Sequence, residues 1–174
     1  MTAPEPAALP RLLRDNPHTV THLLEELLGE PLVADVIRQY SMPAVAGNAL
    51  GVVAGQPVTH RIAVLRGGAT MVPFVYAESA FLPERLPGAA RLQLERTSDP
   101  IGRVLSVHGL AHGREEMPSA GPGPPQAMDR VAAGAAPIVW WRAYRLTIDD
   151  LPVFTIREWF FRAVQDAVER QSPA

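Results

Sequence analysis

Apolar residues recur at Val20, Leu23, Leu24, Leu27 and Leu28, a spacing of three and four that draws one stripe along a helix. Thr19 or Thr21 can cap its start, and Gly29 followed by Pro31 ends it. Leu32 to Tyr40 then reads as a strand, whereas Ser41 to Gly55 is small, Gly-containing and ambiguous. Val58 to Arg66 and Thr70 to Ser79 are β-rich runs separated by Gly67-Gly68, a pair that admits the positive φ angles of a tight turn. Pro73 interrupts the second run and points to an edge or a bulge.

Short helices are expected over Ala89 to Glu95 and over Pro100 to Ser106, the latter capped by Ser98 or Asp99 with Pro100 in its first turn. Val107 to Met117 reads as extended, and residues 119–136 as a flexible Gly-, Pro- and Ala-rich segment. A second hairpin joins Val139 to Ile148 and Val153 to Phe161 across Asp149-Asp150, and a charged amphipathic segment follows. The order predicts an α+β fold: one domain, an antiparallel β-sheet flanked by helices. The expected limits are a disordered or loosely docked tail over 1–10, the domain over 11–165 and a C-terminal tail over 166–174.

Composition narrows the chemistry. The 174 residues correspond to about one domain, and 47% are hydrophobic, enough for a core. With 16 basic and 18 acidic residues there is no basic stripe of the kind that binds nucleic acid. No apolar run suits a membrane span and no signal segment precedes Arg11, so a cytoplasmic protein is expected. The chain has no Cys, which excludes thiolate metal sites and Cys nucleophiles. It also has no Lys, which excludes Schiff-base chemistry and the phosphate-loop lysine. Every cation apart from histidine is therefore an arginine, a planar fork suited to carboxylates.

Four features can carry chemistry. Arg61 interrupts an apolar strand; a two-residue turn would set it opposite Phe74 with Tyr76 nearby, where it either grips a carboxylate or snorkels from the sheet margin. Glu158 lies in the aromatic run Phe154 to Phe161 and, with a two-residue turn at Asp149-Asp150, falls opposite Trp141. A carboxylate among rings loses hydration, a condition that suits general acid or base work; the alternative is a solvent-face pair with Arg142 or Arg145. Ile101 and Gly102 open a helix whose first amides can meet an anion, or form an ordinary capped helix. His108 and His112 have a metal-ligand spacing, but Gly109 and Gly113 break the helix it needs, and no metal is expected.

Taken in order, Leu12-Leu13-Arg14, Thr19 to Glu25, Arg61, Tyr76-Ala77-Glu78-Ser79, Leu86-Pro87, Pro100-Ile101-Gly102, Arg114-Glu115 and Ile156 to Phe160 resemble the chorismate pyruvate-lyase family. The resemblance runs over about residues 11–161 and extends in part to the ligand-binding domains of bacterial regulators, for whose DNA-binding helices 174 residues leave no room. It implies a buried site closed by flaps and a cofactor-free loss of pyruvate from chorismate, leaving 4-hydroxybenzoate. It assigns Arg61 to the ring carboxylate, Ile101 and Gly102 to the same group, Glu158 to a proton shuttle, and Val20 and Thr21 to the lid. Tyr76 is expected beside the substrate. Some enzymes of the family have a basic residue near Glu78; the acidic side chain here leaves the second carboxylate to Arg114 or to an arginine of the last hairpin. The expected partner is a small-molecule carboxylate, with no cofactor, no nucleic acid and no membrane, and the expected state is a monomer or homodimer. Alternatives are a relative acting on another carboxylated or polyketide intermediate of secondary metabolism, and a non-catalytic small-molecule binding protein.

Overall fold

The computed structural model describes residues 8–118, 128 and 137–171. In chain order the elements are α1 (Ala8–Asp15), α2 (Val20–Leu28), β1 (Leu32–Pro43), β2 (Pro57–Gly67) and β3 (Pro73–Phe81). A 3-10 turn (Pro83–Arg85) follows, then α3 (Gly88–Arg96), α4 (Ile101–Val107), β4 (Gly113–Glu116), β5 (Ile138–Ile148), β6 (Leu151–Phe161) and α5 (Arg162–Gln171). Among the described residues six strands form one sheet in the order β1-β2-β3-β6-β5-β4, and every neighbouring pair is antiparallel. This is the expected α+β architecture. The flexible segment expected over 119–136 lies outside the described residues apart from Met128.

The ends of the domain differ from the expectation. Ala8 to Pro10 belong to α1, with Leu9 buried, so the tail expected over 1–10 cannot extend beyond residue 7. At the other end α5 runs through Gln171 and buries Val164, Ala167 and Val168, so residues 166–171 are helix rather than tail. The reason is amphipathic: α1 and α5 each bury one apolar stripe against the sheet, in a cluster with Leu24, Leu65, Phe74 and Phe160.

Helix α2 forms as its caps predict. The Thr19 hydroxyl accepts from the His22 amide, and Gly29, at φ 69°, turns left-handed and donates its N–H to the Glu25 carbonyl. At α4 the cap moves: Pro100, not Ser98 or Asp99, stands at the N-cap position and no side chain caps the helix.

Both hairpins depart in register. Gly67 and Gly68 do not form a two-residue turn; the β2–β3 loop extends to Val72, and Met71 supplies the left-handed residue at φ 58°. The glycines serve close approach instead. A Cβ on Gly67 would stand 2.3 Å from Thr70 Oγ1 and 2.4 Å from Glu30 Oε1, and one on Gly68 2.9 Å from the Pro31 carbonyl. Glu30 organises this loop by accepting from the Ala69 and Thr70 amides and the Thr70 hydroxyl, and these bonds, led by the hydroxyl, hold its carboxyl below the usual range. The longer loop places Arg61 opposite Ser79, not Phe74. In the second hairpin the two-residue turn does form, with Asp149 and Asp150 at φ 50° and 62°. A bulge between Leu146 and Thr147 then shifts the pairing, so Glu158 faces Arg142 rather than Trp141.

Candidate functional site

A cavity of about 280 Å³ lies between one face of the sheet and the helices α2 and α4. Its floor is made possible by small side chains: Ala34, Ala63 and Ala77 sit on β1, β2 and β3, where larger residues would fill the space. Leu65, Leu146 and Ile156 complete an apolar base, and Val20, Thr21, Ile101, Gly102 and Leu105 cover it. Strand alternation decides which polar groups enter. The ladder aligns Arg61, Ser79, Ile156 and Tyr144 in one row, and Ala63, Ala77, Glu158 and Arg142 in the next.

Arg61 is 3% exposed. One Nη2–H donates to the Asp99 carbonyl at 2.8 Å and Nη1 to the Leu94 carbonyl at 3.4 Å, which draws the guanidinium toward the start of α4. Burial pulls its pKa down and Asp99 partly opposes this, yet an arginine stays charged at neutral pH. Among the described residues no carboxylate comes within ion-pair distance of it.

Glu158 is buried as well, and both of its oxygens are held. Arg142 Nε donates to Oε2 at 2.8 Å and the Tyr144 hydroxyl donates to Oε1 at 2.9 Å. Glu158 thus pairs with Arg142, one of the two partners foreseen for a solvent-face pair, but on the cavity side of the sheet. Burial and the neighbouring Glu158 charge push the Tyr144 hydroxyl well up, keeping it a neutral donor. For Arg142 burial opposes the charge, but Glu158 and Tyr144 outweigh it and the net shift is upward.

The helical side is set by Gly102. A Cβ there would stand 2.5 Å from Thr19 Oγ1 and 2.7 Å from Thr21 Oγ1, so only glycine lets α4 close on α2. The first-turn amides of Ile101 and Gly102 have no acceptor within the helix. Arg103 ties the same two helices by pairing with Glu25. Val20 and Thr21 are buried and line the cavity, as does Arg114, whose Nη2 donates to the carbonyls of Arg14 and Asn16.

Two expected site residues are not there. Tyr76 and Glu78 alternate with Ala77 and Ser79, so when the latter pair faces the cavity the former points to the opposite face. Tyr76 is fully buried against Val64, Trp159 and Met128, and its hydroxyl donates to Glu78 at 3.3 Å. Burial first, then Glu78, push that hydroxyl up. The motif therefore contributes Ala77 and Ser79 to the cavity. His108 and His112 are separated in role: His108 Nε2 meets Gln93, His112 Nδ1 meets the Leu110 carbonyl, and the described residues contain no metal-binding cluster. Sequence reasoning did not foresee Ser79 or Tyr144 as lining residues. Arg142-Ala143-Tyr144 alternation already put Arg142 and Tyr144 on one face, but choosing Glu158 as their partner required the bulge.

No family model matches the chain. It is 26% identical over 168 residues to a chorismate pyruvate-lyase of Mycobacterium tuberculosis, covering 89% of this chain and 80% of the relative. Among solved structures it resembles the effector domain of PhnF from Mycobacterium smegmatis, with a TM-score of 0.56 at 16% identity over 84% of this chain and 90% of the other. The C-terminal domain of a histidine utilization repressor from Pseudomonas syringae gives 0.51 at 17% identity, over 76% of this chain and 92% of the other. These structural likenesses are likenesses of fold. In sequence the chain is similar to chorismate pyruvate-lyases, and in fold it is similar to the effector domains of bacterial regulators.

Proposed function

We propose that this protein is a cofactor-free, cytoplasmic lyase that eliminates pyruvate from chorismate and leaves 4-hydroxybenzoate. The observation that carries the reading is Arg61, a buried cation beside a cavity, with Asp99 acting on it from a distance and no carboxylate of the described residues within ion-pair reach. A buried charge of this kind calls for an anionic partner, and the guanidinium fork matches a carboxylate. The cavity volume of about 280 Å³ lies near the lower end of the roughly 300–1,000 Å³ of small-molecule sites, which suits a ligand of one ring.

In this reading Arg61 and the amides of Ile101 and Gly102 hold the ring carboxylate, the apolar floor holds the ring, and Glu158 meets the oxygen-bearing end. The bond between the ring carbon and the ether oxygen breaks, so the oxygen leaves with the enolpyruvate; the adjacent ring carbon gives up its hydrogen as a proton, and the enolpyruvate takes one proton on its methylene carbon to become pyruvate. Aromatisation drives the reaction, so the site needs orientation and one proton carrier. Glu158, with one lone pair on each oxygen beyond those engaged by Arg142 and Tyr144, can accept and return that proton. Glu78 lies on the far face and does not confront the second carboxylate, which is left to Arg114.

A second reading has its own support: the fold likeness to effector and repressor domains favours a small-molecule binding protein without turnover. Purified protein given chorismate without added metal or cofactor decides between them. Equimolar 4-hydroxybenzoate and pyruvate are expected; a folded protein that binds 4-hydroxybenzoate but releases no pyruvate supports the binding protein. A protein that binds neither compound but is stabilised by another carboxylate or polyketide acid points to a changed substrate.

A further inference from the structure

Arg142 joins Glu158 to a part of the molecule outside the sheet. While Nε holds Glu158, Nη1 of the same guanidinium donates to the Leu13 carbonyl at 3.2 Å. Leu13 lies in the last turn of α1, where carbonyls have no acceptor role left within the helix. Arg114 takes the carbonyls that follow, Arg14 at 3.2 Å and Asn16 at 3.1 Å. The chain then runs straight into Asn16 to Thr21, all of which line the cavity. The cover is thus fastened to the sheet through two guanidinium groups, and one of them is the group that holds the carboxylate.

Arg142 itself does not line the cavity. It is 3% exposed, its guanidinium carbon lies 4.6 Å from the centre of the Tyr144 ring and 5.9 Å from that of Phe160, and its Nη2 has no hydrogen-bond partner among the described residues. Because the guanidinium is a rigid plane, turning Nη1 away from Leu13 also turns Nε away from Glu158. Resting on the reading of Glu158 as proton carrier, we propose that Arg142 is a positioning residue that couples Glu158 to the α1–α2 cover, so that the carboxylate holds its working orientation only while the end of α1 is docked.

Turnover and hydrogen exchange on the full chain test this together. Arg142→Lys keeps a cation but lacks the fork that serves both partners. Its kcat on chorismate should fall about 100-fold, within the range of a displaced general acid or base, while the Kd of 4-hydroxybenzoate changes far less and the amides of residues 12–16 exchange faster. Glu158→Gln leaves Arg142 in place, yet should speed exchange over the same amides by more than the global loss of stability speeds it over α3; a simple staple for α1 would show no such excess. Tyr144→Phe removes the other hold on Glu158 and should lower kcat with α1 exchange unchanged. If Arg142→Lys raises KM and Kd and keeps kcat, Arg142 is a structural staple and the proposal is overturned. Exchange in Glu158→Gln that rises no more over these amides than over α3 overturns it too. Absence of chorismate turnover in the native protein would defeat the functional reading alone, since the exchange measurements still decide the coupling.

Discussion

Arg61 and Glu158 lie two strands and one ladder row apart on the same face of the sheet, and their surroundings are opposite. Glu158 is compensated from within: a guanidinium on one oxygen, a hydroxyl on the other. Arg61 has only two backbone carbonyls for its described partners. The difference teaches how the two ends of a site can be told apart before any ligand is seen. In the proposed reading, the charge already satisfied by the fold is the one held ready to act, and the buried charge without an ion-pair partner among the described residues is the one that meets the ligand's own charge.

The largest effect should come from breaking the compensated end. Glu158→Gln removes one half of a buried ion pair and leaves Arg142 unbalanced, so chemical denaturation should show a loss of about 3 kcal/mol; pyruvate release should cease while 4-hydroxybenzoate still binds. At the other end the loss should appear in binding rather than folding. Arg61→Met is expected to weaken 4-hydroxybenzoate by about 3 kcal/mol, roughly a hundredfold, in calorimetry, with denaturation changing much less than in Glu158→Gln. Equal stability losses in the two variants would abolish the contrast.

Gly102→Ala tests the closure between these ends. The added methyl meets Thr19 and Thr21, so α4 must move from α2 at a cost of about 1–3 kcal/mol, and ligand affinity should drop with it. A smaller effect is expected at Asp99, whose backbone carbonyl receives Arg61. Hydrogen bonds from Gln93 and Thr97 hold its carboxyl below the ordinary 3.8. A depressed folded value means the contribution is complete above 3.8 and is lost as pH falls through the lower folded value. Thermal unfolding of Asp99→Asn should therefore converge with the native protein below that pH and diverge above it. Smallest of all, Tyr76→Phe should leave 4-hydroxybenzoate affinity unchanged, because the hydroxyl lies across the sheet; a weakened ligand there would put the cavity on the wrong face.

Much of this was legible in the chain. The stripe from Val20 to Leu28 with Thr19 and Gly29 at its ends forms α2, and two β-rich pairs form hairpins. The suspicion attached to Arg61 and Glu158, each a charge inside an apolar run, fell on residues that line one cavity. The pairing that set Tyr76 beside Arg61 fails for a specific reason, and Glu78, which the resemblance placed at the site, shares the face of Tyr76. The assumed β2–β3 turn was too short by an odd number of residues, and an odd slip exchanges the two faces of a strand relative to its neighbour.

What the sequence determined by itself is local: helix stripes, caps, strand alternation, and hence which side chains of one strand travel together, such as Arg61 with Ala63 or Glu158 with Ile156. These follow from spacings of a few residues, which the backbone geometry reads directly. Only the tertiary structure decided register and face. Glu30, far from the hairpin in sequence, shapes the β2–β3 loop; the bulge after Leu146 brings Arg142 to Glu158; and the sheet order places β6 between β3 and β5. Each depends on contacts between distant segments, and a one-residue change in any of them would turn a cavity residue into a residue of the opposite face.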